Sequence, residues 1–314
     1  MIAIRDGFQK ATLSAFTSIP SGRLFALVEG LSTCERLQCD TTVGYGGSPD
    51  ENGETTLDAL LIDGPGHRMG AVASMHRVKD AARVAWAVMN YTRHTMIVGE
   101  EATRFAVEMG FKSESLETKQ SKEMTEIWKK NKCQPNFRQN VVPDSQTSCG
   151  PYSPLEEWKE KDEGWNNRID RFNHDTIGMV VIDEEGEVSA GTSTNGASHK
   201  IPGRVGDSPM PGSGAYLARG IGGAAATGDG DIMMRFLPSY QTVEFMRSGD
   251  DPSIAANKSM KRIVDEHPHF SGAIVAADVS GRMGASCAGL KTFSYSTMKK
   301  GDSQVVVQTV DCIN

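Results

Sequence analysis

Asn173-His174-Asp175-Thr176-Ile177-Gly178-Met179-Val180-Val181-Ile182 marks an abrupt change in the chain. Residues 156–172 before it are charged, with Trp158 and Trp165 but no sustained apolar period. From Ile177 the run is apolar and short, as in a buried strand. Thr176 therefore heads a core strand. Threonine is a good strand residue, and a lone one needs no further role. A second reading makes Thr176 a nucleophile released by scission of the Asp175–Thr176 bond. The hydroxyl and a new α-amine would then share one residue, and an amine with a pKa of about 8 can act as the base.

The residues that follow favour the second reading. A loop at 184–186, with Gly186 where a left-handed residue is wanted, would turn the strand back on itself and pair Asp183 with Glu187. Continued along Val188-Ser189-Ala190-Gly191-Thr192-Ser193-Thr194, that register sets Thr176 opposite Thr194. Two hydroxyls would meet at the open end of the hairpin, where one can orient the other. A one-residue slip would separate them.

Farther out, periodicity predicts helices over 22–37, 78–91, 100–109 and 252–266, and a helix over 231–248 that Pro238 kinks or shortens. Residues 112–132 read as a solvated helix, and 134–175 as an irregular span. Strands are expected over 57–62, 70–75, 272–279, 284–288, 292–298 and 304–310. Periodicity alone gives an α+β chain. The Gly-rich stretch 220–230 lacks the Gly-Lys-Ser/Thr ending of a phosphate loop and the spacing of a dinucleotide fingerprint.

The chain has 314 residues, with 33 Lys and Arg against 40 Asp and Glu, a formal charge of −7. That balance, without a dense basic run, argues against nucleic-acid binding. No apolar run is long enough for a membrane helix. The six cysteines form no Cys-x-x-Cys motif, and His94, His267 and His269 read as structural rather than as metal ligands.

Several separated motifs then carry a resemblance. They are His174 to Ile182, Gly191-Thr192-Ser193-Thr194-Asn195-Gly196, Gly203-Arg204-Val205-Gly206-Asp207-Ser208-Pro209 and Ala226-Thr227-Gly228-Asp229-Gly230-Asp231. Upstream, Gly44 to Asp50 and Glu54-Thr55-Thr56-Leu57-Asp58-Ala59 also match. In this order, over roughly residues 25–314, the chain resembles the glycosylasparaginases, which are N-terminal nucleophile hydrolases.

The resemblance implies a four-layer αββα sandwich of mainly antiparallel sheets. It implies one domain made of two pieces, residues 1–175 and 176–314, with no cofactor or metal. Thr176 would be the nucleophile, with His174 and Asp175 assisting scission and Thr194 orienting it. Arg204 would fork to a substrate α-carboxylate and Asp207 would accept from its α-ammonium. The Thr227 hydroxyl and the Gly228 amide would hold the oxyanion. The substrate would be a small glycosylated asparagine, the compartment the lysosome, and the assembly a dimer of cleaved pairs. An isoaspartyl peptidase or asparaginase shares the same amino acid head and stays the alternative.

Even cysteine count in local couples, and the resemblance, point to Cys34–Cys39, Cys133–Cys149 and Cys287–Cys312. Spacing alone leaves six free thiols open. Sequons at Asn90 and Asn257 favour secretion weakly. Residues 1–20 are the atypical part. They show no recognisable signal peptide. The resemblance implies a central first strand carrying a tryptophan, yet no Trp precedes Trp86. A missing strand would leave unpaired backbone in the sheet and favours a catalytically impaired paralogue.

Overall fold

Ile177 to Ile182 pairs antiparallel with Val188 to Thr194 in the expected register, Ile177 facing Ser193 and Ile182 facing Val188. The Asp183 amide donates to the Glu187 carbonyl at 3.1 Å, and Gly186 takes φ +77°, so the turn is the one its glycine called for. In the computed structural model the described residues are 2–4, 8–156 and 176–313, with backbone alone for 2–4. His174, Asp175 and the segment 157–172 lie outside them.

The elements run β1 (Ile2–Ile4), α1 (Gln9–Ser18), α2 (Arg23–Leu37), β2 (Leu57–Asp63), β3 (Arg68–Met75), α3 (Ala81–Tyr91), β4 (Met96–Val98), α4 (Gly99–Glu108) and α5 (Lys119–Lys130). There follow β5 (Val141–Val142), β6 (Ser153–Pro154), β7 (Ile177–Ile182), β8 (Val188–Thr194), β9 (Ala215–Ala218) and β10 (Gly222–Gly228). The chain ends through α6 (Gly230–Phe236), α7 (Pro238–Arg247), α8 (Pro252–Glu266), β11 (Gly272–Asp278), β12 (Met283–Ala288), β13 (Thr292–Thr297) and β14 (Val306–Asp311).

An eight-stranded sheet has the order β14-β13-β1-β7-β8-β2-β3-β4, and a four-stranded sheet the order β12-β11-β10-β9. Pairing is antiparallel except between β3 and β4. This is an α+β fold.

Strand alternation sorts the core into three clusters. On β2, Leu57, Ala59 and Leu61 pack with α2 and α3, whereas Leu60 and Ile62 pack against the four-stranded sheet.

 On β7, Ile177, Met179 and Val181 face the helices and Val180 faces the other sheet. A third cluster, including Ile232, Val243, Met260 and Ile274, fills the space between α6–α8 and the four-stranded sheet. Gly30 of α2 permits a close crossing, because a Cβ there would stand 2.8 Å from both Ala15 of α1 and Met179 of β7.

The N-terminal expectation is corrected. Ile2 pairs with Thr297 of β13 and with Val180 of β7, so backbone from residues 2–4 occupies the central position expected to lie open. A strand of three residues is too short to show a period. The sequence reading also missed α1, whose buried side is made of the small residues Ala11, Thr12 and Ala15. The Gly-rich 220–230 region is largely strand β10, and β4 and β9 had no reading. Pro238 does interrupt its helix: Leu237 takes φ +51° and separates α6 from α7. All three cysteine pairs form as expected, with Cα separations of 5.2, 5.1 and 4.6 Å.

Candidate active site

The same alternation aims the candidate residues into one place. On β7, Thr176 has the parity of Val180; on β8, Thr192 and Thr194 have the parity of Ala190. On β10, Thr227 has the parity of Ala225, and on β2, Asp58 has the parity of Leu60. All therefore belong to the faces between the two sheets. Where the strands end, a small, partly open cavity forms, lined by Asp58, Thr176, Thr194, Arg204, Asp207 and Gly228, together with the glycines and small residues between them.

Thr176 is 5 % exposed. Its Oγ1 lies 3.0 Å from Oγ of Ser208. Ser208 is fixed in turn, since the Thr192 hydroxyl donates to its carbonyl at 2.6 Å. Thr194 Oγ1 accepts from the Gly196 amide at 3.0 Å and reaches the Thr42 carbonyl at 3.4 Å. Asn195 beside it donates to the carbonyls of Thr41 and Gly44 at 3.0 and 2.9 Å, which binds the turn-rich 41–47 loop to the end of β8. The loop thus stands beside the end of β8, whose Thr194 lines the cavity.

Arg204 and Asp207 flank the start of α6. A Cβ on Gly230 would stand 2.7 Å from Asp207 Oδ1 and 3.2 Å from Arg204 Nη2. The Arg204 partner is Asp231, with Nη2 to Oδ2 at 2.8 Å and Nε to Oδ2 at 3.2 Å. Nη1 stays on the side of the cavity-lining Gly196 and Gly206. Asp207 is buried and its Oδ2 has no hydrogen-bond partner among the described residues. Burial pushes its carboxyl up to about 7, against the pull of the Arg204 charge. A fixed cation and a carboxylate short of a donor thus stand side by side.

Thr227 pairs with Ala273 and Gly228 with Gly272 at the end of β10. Gly228 has φ +150°, and a Cβ on it would stand 2.6 Å from the Gly272 Cα, so only glycine keeps its backbone at the cavity edge. Among the described residues no group of three or more His, Cys, Asp and Glu side chains is placed to hold a metal ion.

The sequence reading gave no role to Ser208, Asp58, Lys200 or Asp231. Asp58 carried a usable signal, a carboxylate inside the apolar run Leu57 to Ile62. Ser208 stood in the same motif as Arg204 and Asp207, but its contact with Thr176 depends on how a loop folds over the end of the sheet.

A family model described as asparaginase matches residues 2–307. The N(4)-(beta-N-acetylglucosaminyl)-L-asparaginase of Mus musculus is 49% identical over 311 residues, 98% of this chain and 90% of that one. The protein of the same name from Rattus norvegicus is also 49% identical over 98% of this chain and 90% of its own. A Drosophila yakuba protein that carries the name provisionally is 55% identical over 92% of this chain and 74% of its own. With the match running nearly end to end, the chain belongs to the asparaginase family.

Proposed function

We propose that this chain is an amidohydrolase that activates itself by cutting the Asp175–Thr176 bond and then hydrolyses the amide between N-acetylglucosamine and asparagine. The observation that carries the reading is the cavity in which a hydroxyl at the head of β7 lies with one fixed cation and one unsatisfied carboxylate. An amino acid head needs one charge of each sign, and the named mammalian relatives act on such a substrate.

Activation begins when the Thr176 hydroxyl attacks the Asp175 carbonyl carbon. The C–N bond breaks, an ester replaces the amide, and the nitrogen becomes an α-amine. Water then cleaves the ester, leaving residues 1–175 with a free carboxylate and 176–314 with Thr176 first. His174 and Asp175 assist. In the mature enzyme the α-amine takes the hydroxyl proton while Oγ1 attacks the side-chain amide carbon of the substrate. Thr194 orients Thr176. Thr227 and Gly228 donate to the oxyanion. Arg204 receives the α-carboxylate and Asp207 the α-ammonium. Glycosylamine leaves with a proton, and water releases aspartate from the acyl-enzyme.

Helices on the outer faces of both sheets, and a cluster between the sheets, support the four-layer αββα arrangement. Degradation of glycoproteins fits a lysosomal enzyme, assembled as a dimer of cleaved pairs; sedimentation of the purified protein tests the assembly. The main test is intact mass followed by assay. Two chains splitting at 175/176, and faster turnover of glycosylated asparagine than of isoaspartyl dipeptide or asparagine, are expected. An intact chain that still hydrolyses the substrate overturns the proposal.

A further inference from the structure

The cavity wall holds a charge pair to which the scheme above gives no part. Asp58 faces Thr194 across the β2–β8 ladder, and the β7–β8 register continues that row to Thr176. Asp58, Thr194 and Thr176 all line the same cavity. The Asp58 Oδ1 accepts from the Ser74 amide at 2.6 Å. Behind it lies Lys200, 3 % exposed, whose Nζ donates to the carbonyls of Ser48 and Asn195 at 3.1 and 2.9 Å. A Cβ on Gly196 would stand 3.6 Å from Lys200 Nζ and 3.5 Å from Arg204 Nη1, so Lys200 sits one residue's thickness behind the wall.

Neither charge is cheap. Burial pulls the Lys200 ammonium down to about 8, opposed by the attraction of Asp58. Burial also pushes Asp58 up, opposed by the Ser74 amide, Lys200 and Arg204. A fold needing only to close this end of β2 would do better with an apolar pair of the same volume. The other charges facing the pair are Asp50 and Glu54 around Lys200, and Arg204 with its neighbours Asp207, Asp229 and Asp231.

We propose that Asp58 and Lys200 are positioning residues that set the basicity of the Thr176 α-amine, Asp58 raising it and Lys200 holding that effect in check. This rests on the proposed scission, which creates the amine. Strands lie about 4.8 Å apart, so Asp58 and the amine are roughly 10 Å distant across the cavity. At that distance one charge moves the other's pKa by about one unit.

The test is the acid limb of kcat against pH at saturating glycosylated asparagine. Substrate then neutralises Asp207, and the limb reports the amine. Asp58→Asn removes the anion and leaves Lys200: the limb moves about one pH unit lower. Lys200→Met leaves the anion alone: the limb moves about one unit higher. The double variant, which buries no unpaired charge, returns near the wild-type limb and serves if Lys200→Met does not fold. A merely structural pair would lower yield or melting temperature and leave the limb in place. Limbs unmoved, or moved in one direction by both single variants, overturn the inference. A wild-type protein that is uncut or inactive overturns the functional reading instead.

Discussion

Arg204 has a planar fork, and the structure uses two of its nitrogens on Asp231 while Nη1 stays on the cavity side. The role proposed for it depends on that division. Arg204→Lys keeps the charge and loses the fork, so Asp231 and a substrate carboxylate compete for one ammonium and the bond from Nη1 is lost. A charge-assisted hydrogen bond contributes about 2 kcal/mol, which raises KM roughly thirtyfold. Processing at Thr176 is expected to continue, and an unchanged KM would rule out the carboxylate role. Thr227→Ala tests a different step. Removal of one oxyanion donor lowers kcat roughly a hundredfold with KM little altered. A kcat within a few-fold of wild type would exclude the hydroxyl from the oxyanion site. Thr176, Thr194, Arg204 and Asp207 were singled out from compact motifs, and the fold brings them to one cavity. Ser208 stands in the same motif as Arg204 and Asp207, yet nothing there announced that it lies 3.0 Å from the Thr176 hydroxyl. Only the fold of the loop between β8 and β9 brings it there.

The β7–β8 hairpin is the element on which the site depends, and its register was legible because one glycine fixes the turn. The far end of the hairpin is held by charge. Arg23 of α2 donates to Asp63 of β2 at 2.7 Å, to Asp183 at 2.5 Å and to the Ser189 hydroxyl at 2.8 Å. Asp63 is 3 % exposed and keeps Arg68 as a second partner at 2.8 Å. The arginines hold its carboxyl below the usual range despite burial. Arg23→Met strips the buried side of this cluster and is expected to cost about 3 kcal/mol. The melting temperature would fall by roughly 5–10 °C. A change of a degree or less would show that Arg68 alone satisfies Asp63. Shorter and flatter elements resisted reading. β1 has too few residues for a period, and α1 buries small side chains that a hydrophobic pattern does not count. β10 is Gly222-Gly223-Ala224-Ala225-Ala226-Thr227-Gly228, whose small side chains let the strands and sheets approach closely and conceal the alternation.

Across the whole molecule, Glu35 ties the helices to the catalytic end of the sheet. From α2 its Oε1 accepts from the Ala82 amide at the start of α3 at 2.9 Å and from the Ser193 hydroxyl of β8 at 2.6 Å. Ser193 adjoins Thr194 and points to the helical face, as alternation requires. The Oε2 is buried with no hydrogen-bond partner among the described residues. Burial pushes the carboxyl up to about 7, with the Ser193 and Ala82 bonds pulling the other way. A raised acid favours the folded state when protonated. Its contribution is full below the unfolded value near 4.5, declines as pH rises and is gone above about 7. Asp207, also near 7, acts in the same direction. His199, held down at about 4 by burial, acts oppositely and costs stability as pH falls below 6.5. Asp58, also pushed up by burial, adds to the acids, while Lys200, pulled down to about 8, joins His199 only at the top of the range. The raised acids outweigh the lowered bases, so the melting temperature is expected to rise as pH falls from 8 to 5.5. Glu35→Gln keeps an Oε1 for both donors and cannot ionise. It should flatten that rise, removing roughly 2 kcal/mol of the pH dependence between pH 8 and 5.5. The difference between the two melting curves isolates Glu35 from Asp207 and His199, which both proteins share. Parallel curves would mean that Glu35 does not titrate in this window, and that its second oxygen finds a donor on folding.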